Sequence, residues 1–144
     1  RCTAGVCRGY EDDVAPLLRQ MVEARALVFA TPVYFWNVSG LTKTLWDRML
    51  PLAGLDLTTS PVTMAPLLRG RLAGTVVVQE EAEGPQASII RQFFARNFAD
   101  FGLRDGGEVY AYGALERGQV RGDAVAMRGA FDLGRELIRA ARAG

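Results

Sequence analysis

The sequence predicts an α/β fold, with a parallel sheet covered by helices on both faces, and three observations predict it. Ala26–Ala30 and Thr75–Val78 are short apolar runs without polar alternation, as suits strands buried on two faces. Stretches of helical period separate these runs. The resulting order, α-β-α-(long loop)-β-α-β-α, is the alternation that parallel sheets require. At 144 residues and 49% hydrophobic, the chain is expected to be one domain over residues 1–144 with a single core.

The first helix is expected over residues 12–24. Asp12 or Asp13 caps it, Pro16 sits in the tolerant first turn, and Val14, Leu17, Leu18, Met21 and Val22 form its apolar stripe. Ala26–Ala30 is the first strand. A second helix opens at Ser39, carries Val38, Leu41, Leu45, Trp46 and Met49 on its inner face, and ends at Pro51. Residues 51–72 hold three prolines without a sustained period, and a connection of that length is expected to make contacts or bind. Thr75–Val78 is the second strand. Gly84-Pro85 starts a helix that sets Ile90, Phe93, Phe94, Asn97, Phe98 and Phe101 on one face, and Gly102 stops it. Glu108–Tyr112 is the third strand. Asp123 caps a last helix whose Met127, Ala130, Phe131, Gly134, Leu137 and Ile138 are expected to face the core, with its arginines in solvent.

Composition excludes several chemistries. Histidine is absent, so no Ser-His-Asp or Cys-His arrangement and no His-ligated metal site can form. A formal charge of +1 gives no electrostatic case for nucleic acid or an anionic membrane surface. No apolar run approaches the ~20 residues of a membrane span. Two cysteines, Cys2 and Cys7, are too few for a disulfide framework, so a reducing, cytoplasmic setting is expected. Of the 17 basic residues only Lys43 is lysine.

The most informative stretch runs from Ala30 to Arg48. An apolar strand stops at Thr31-Pro32, three aromatics follow, and Ser39 opens a helix. A strand end, a loop and a helix start in this order describe a ligand site at the carboxyl end of a sheet. Tyr34, Phe35 and Trp36 offer flat apolar surface, and Asn37 with nearby backbone amides offers polar partners. Plugging the sheet end or forming a subunit contact would use the same aromatics. Ser39 is most simply a helix cap. Lys43 and Asp47, four apart, read as an exposed ion pair worth ~0.2–0.5 kcal/mol. The second segment is Val78-Gln79-Glu80-Glu81-Ala82-Glu83-Gly84-Pro85, again at a strand's carboxyl end. It serves equally as a solvated acidic loop feeding a helix start.

Pro32, Tyr34, Ser39-Gly40, Lys43 and Asp47 together resemble the second flavin-contact loop of flavodoxin-like, NAD(P)H-dependent FMN reductases. The likeness extends to Val76–Glu81 and Glu108–Gly113, which look like that family's fourth and fifth strands. It implies a flavodoxin-like three-layer α/β/α sandwich whose first two strands, with the phosphate-cradling loop, are missing from this chain. It further implies an FMN-dependent oxidoreductase that takes hydride from NAD(P)H and passes electrons to a flavin, quinone or similar small acceptor. An electron-transfer flavoprotein and a non-catalytic scaffold are the alternatives. Residues expected at the cofactor are Thr31, Pro32, Val33, Tyr34, Phe35, Trp36, Asn37, Val38 and Ser39, with Gln79, Glu80 and Glu81 replacing most of the family's usual glycines. No side chain is expected to act as acid, base or nucleophile, because the flavin carries the chemistry. Iron–sulfur relatives hold four cysteines just before the first helix here; with two thiols against the four a cluster needs, no metal is expected. The resemblance also implies a homodimer or homotetramer, with residues 51–72 and a Phe93/Phe94/Phe98 face assigned to the contact.

Overall fold

The structure, a computed structural model, describes residues 12–143. Helix α1 (Val14–Glu23) leads into strand β1 (Ala26–Tyr34), a short return strand β2 (Asn37–Val38) and helix α2 (Gly40–Arg48). A 3₁₀ turn (Leu50–Ala53) and a small hairpin, β3 (Leu55–Asp56) with β4 (Thr63–Met64), precede strand β5 (Leu72–Val78). Helix α3 (Pro85–Asp100), strand β6 (Arg104–Ala111) and helix α4 (Ala124–Ala143) follow. The main sheet has the order β2-β1-β5-β6, with β1, β5 and β6 parallel and β2 antiparallel to β1.

The alternation read from the sequence is borne out, while two of the strands are longer than their apolar runs and one starts earlier. β1 continues through Thr31-Pro32 to Tyr34. From Ala26 to Pro32 one side of β1 pairs with β5, and the other pairs with no described strand. Proline is tolerated on such an edge. β6 starts at Arg104 rather than Glu108, because Gly106-Gly107 forms an irregularity opposite Gly74 and does not end the strand.

Helices α1, α2 and α3 cover one face of the sheet. Phe29 on β1 meets Trp46 of α2 with ring centroids 4.7 Å apart, and Phe94 and Phe98 of α3, with Phe101 just after it, close around them. Leu18, Met21, Met49, Leu52, Leu68, Val77 and Ile90 complete this core. The Phe93/Phe94/Phe98 face assigned above to an assembly contact is therefore interior, with Phe94 and Phe98 buried and Phe93 half-buried against them, since an amphipathic helix with that many aromatics is drawn onto the sheet. Leu41, expected inside, is 86% exposed.

Helix α4 covers the other face with Leu133 and Leu137 on Leu72, Val76 and Val109. Met127, Phe131 and Ile138, expected inside, face solvent. The close seat explains the rotation. A Cβ on Gly106 would stand 2.3 Å from Leu137 Cδ2, so the backbone of β6 lies directly under the leucine ridge. At the rim of the first core, Arg48 at the end of α2 donates two hydrogen bonds, of 2.6 and 3.1 Å, to Asp12 ahead of α1.

Candidate functional site

The aromatic segment is a hairpin turn, which the sequence did not announce. Val33 pairs with Val38 and Tyr34 with Asn37, leaving Phe35 and Trp36 as a two-residue loop. Both have positive φ, 46° and 67°. Such a turn ordinarily takes Asn-Gly, because a Cβ at positive φ is crowded against the backbone. Phe35 and Trp36 hold it because its base is pinned. Val38 is buried, and the amide of Ser39 donates to the buried Thr31 hydroxyl at 3.1 Å. The Thr31 hydroxyl donates in turn to the Pro32 carbonyl at 2.8 Å. Asn37 Oδ1 accepts from the Val38 amide at 2.8 Å, and Ser39 Oγ caps α2 by accepting from the Thr42 amide at 3.3 Å. Residues in rare backbone conformations persist where the surroundings over-determine them, and they gather at binding sites.

Because Pro32 lies beside Val78 in the ladder, the hairpin and the loop after β5 emerge side by side. Between them is a cleft of about 270 Å³, with Tyr34, Phe35 and Trp36 on one wall and Gln79, Glu80 and Glu81 on the other. Gln79 is 3% exposed. Its Nε2 donates to the carbonyls of Glu81 and Ala82 at 3.1 and 3.0 Å, which folds the loop back on itself. Its Oε1 is buried and accepts from no described group. Glu81 is held by Gln86 Nε2, and Glu80 stands in solvent.

At the same end of the sheet, Tyr110 and Tyr112 stack with ring centroids 5.9 Å apart. Arg91 lies 4.5 Å above the Tyr110 ring and binds Glu108 at 2.7 Å. Burial, and secondarily the Glu108 charge, pushes the Tyr110 hydroxyl up to about 12, so it stays protonated across the physiological range. The bond to Glu108 raises the Arg91 pKa, fixing that charge as well. Neither the Tyr110 hydroxyl nor the Arg91 guanidinium therefore exchanges a proton near neutrality.

A family profile described as NADPH-dependent FMN reductase matches residues 1–94. The chain belongs to that family. It is a family of flavin-dependent oxidoreductases that use FMN, with NADPH as reductant. An iron-sulfur flavoprotein of Archaeoglobus fulgidus is 47% identical over 47 residues, 33% of this chain and 23% of that protein. One of Methanocaldococcus jannaschii is 35% identical over 81 residues, 56% of this chain and 37% of that protein. The matches thus span well under half of either relative. The Trp repressor binding protein of Bacillus subtilis superposes with a TM-score of 0.66 at 20% identity, covering 90% of this chain and 75% of that one. At that identity the likeness concerns the fold, which is flavodoxin-like.

Within the family frame, the residues expected at the cofactor divide into two groups. Val33, Tyr34, Phe35, Trp36, Gln79, Glu80 and Glu81 line one cleft, although more than forty positions separate the two segments. Thr31, Val38 and Ser39 are buried beneath the hairpin, and Pro32 and Asn37 are exposed outside the lining. Gln86, in the first turn of α3, is 5% exposed, lines the cleft and was missed. Its signal was a polar residue four positions before Ile90 on the buried stripe. Cys2 and Cys7 lie outside the described residues. Among the described residues no three His, Cys, Asp or Glu side chains are grouped to hold a metal, and no helix is long and apolar enough to cross a membrane.

Proposed function

We propose that the cleft receives the isoalloxazine ring of FMN, in a protein that passes hydride from NAD(P)H to a flavin, quinone or similar small acceptor. One observation carries this reading: a strained aromatic hairpin stands opposite a buried amide oxygen, Gln79 Oε1, that has no partner among the described residues. A flat heterocycle with a ring N–H satisfies both, stacking on the aromatics and donating to the oxygen. The fit is to the ring and not to the phosphate, because the charged groups lining the cleft are carboxylates.

When bound, FMN supplies the hydride-accepting and hydride-donating chemistry. The chain's own work is positional. Trp36 and Tyr34 shield one side of the ring from water, and Gln79, locked through its Nε2, fixes its rotation. Glu80 and Glu81 set a negative field at that wall. That field favours neutral or cationic acceptors over anionic ones. We place the reaction in the cytoplasm, where thiols such as Cys2 and Cys7 stay reduced and nicotinamide reductant is available, and in a homodimer or homotetramer.

The test is FMN titration of the full-length protein by flavin fluorescence quenching, followed by anaerobic mixing with NADPH. Trp36→Ala and Tyr34→Ala should each weaken FMN by ~1–3 kcal/mol, roughly 5- to 150-fold in Kd. Bleaching of the bound flavin within seconds supports a reductase. Unaltered affinity in both variants would place the ring elsewhere.

A further inference from the structure

A second hollow lies at the amino ends of the parallel strands, opposite the aromatic cleft. Arg25 immediately precedes β1, Arg71 immediately precedes β5, and Arg104 is the first residue of β6. The register joins Ala26 to Leu72 and Leu72 to Arg104, so these three arginines form a row across the sheet's lower edge. Arg69 joins them from the preceding turn. All four line one hollow of about 300 Å³, in which Glu23 is the only carboxylate among the described residues.

One of the four is rigidly built in. Arg71 donates from Nε to the Ala24 carbonyl at 2.9 Å, from Nη1 to the Leu67 carbonyl at 3.2 Å, and from Nη2 to the Val22 carbonyl. It thereby serves the carboxyl end of α1, and two of its five N–H groups remain for another acceptor. The guanidinium groups of Arg25, Arg69 and Arg104 are uncommitted, with no carboxylate or carbonyl partner among the described residues. Gathering cations is unfavourable in proportion to their proximity. In a chain of net charge +1, this local excess is not a consequence of overall basicity.

We propose that this hollow binds a small phosphate-bearing anion, with Arg71 as a fixed floor and Arg25, Arg69 and Arg104 closing on it. The planar fork of a guanidinium matches two phosphate oxygens at once, and several forks around one concavity suit a multivalent anion. A recess, unlike a raised basic patch, suits a soluble ligand better than a membrane face. β5 alone, seven residues long, puts roughly 20 Å between this hollow and the cleft, so the two sites do not compete.

The experiment is calorimetric titration of the full-length protein with inorganic pyrophosphate, with ionic strength held constant by chloride. Saturable one-site binding is expected, weakened at least tenfold in the Arg25→Gln/Arg104→Gln double variant. Arg128→Gln, on the exposed face of α4, should leave the affinity unaltered. Both altered arginines are exposed and have no ion-pair partner among the described residues, so the fold is retained, which circular dichroism checks. Absence of saturable binding, or equal affinity in the double variant, overturns the proposal. Binding to phosphatidylglycerol vesicles without binding to pyrophosphate also overturns it, in favour of a membrane contact.

Discussion

At the scale of single residues, the aromatic turn places stability and binding in opposition. Phe35 is wholly exposed at φ 46°, so it contributes no burial and carries the crowding of a left-handed conformation. Asparagine tolerates that conformation far better. Phe35→Asn should therefore raise stability in urea denaturation by ~1 kcal/mol while weakening FMN. A loss of stability would mean that the ring is packed and the turn relaxed. Trp46 presents the contrary case. It is the hub of the main core, yet its buried Nε1 donates to no described group, so the packing of its ring outweighs an unmade hydrogen bond.

At the scale of elements, two contacts decide how the helices sit. Helix α4 rests on glycine backbone, and Gly106→Ala would drive a methyl into Leu137, destabilising the protein by ~1–3 kcal/mol. Adding Leu137→Ala to it should recover part of the loss beyond simple additivity, measured as a double-mutant cycle. The second contact is the brace from α1 to α2. Hydrogen bonds from Arg48, then from the Val14 amide, hold the Asp12 carboxyl below its usual 3.8. A carboxyl depressed in the folded state stabilises above its unfolded pKa, and the contribution is lost as pH falls through the folded value. Thermal melts of the natural protein should thus fall more steeply than those of Asp12→Asn on acidification below the ordinary carboxylate range. Parallel curves would show the brace to be energetically idle.

At the scale of the whole molecule, the strand and helix order was legible, because buried parallel strands and amphipathic helices leave strong periodic signals. The two halves of the cleft were legible separately, since Thr31-Pro32 and Gln79 each end an apolar run. That Phe35-Trp36 forms a turn was not legible, because nothing local favours bulky residues at positive φ. The tertiary anchors Thr31 and Ser39 impose it. The facing of α4 was misread because its sequence carries apolar residues on two flanks, and glycines on a distant strand choose between them. With Phe94 and Phe98 consigned to the core, the β3–β4 hairpin, within residues 51–72, is what stays exposed of the two surfaces assigned to self-association. There Leu57 is 75% and Val62 51% exposed. Light scattering at micromolar concentration should report a mass above the monomer, and Leu57→Asp with Val62→Asp should reduce it. A monomer in the natural protein would remove this hairpin as an interface.

The placement of the two indoles has an optical consequence. Trp36 is 54% exposed at the cleft and Trp46 is 4% exposed in the core, so the chain carries one wet and one dry chromophore. Iodide should extinguish only the redder part of the emission, and saturating FMN should abolish that iodide effect first. The protein is in this way its own dye: one colour reports occupancy of the cleft, the other integrity of the fold.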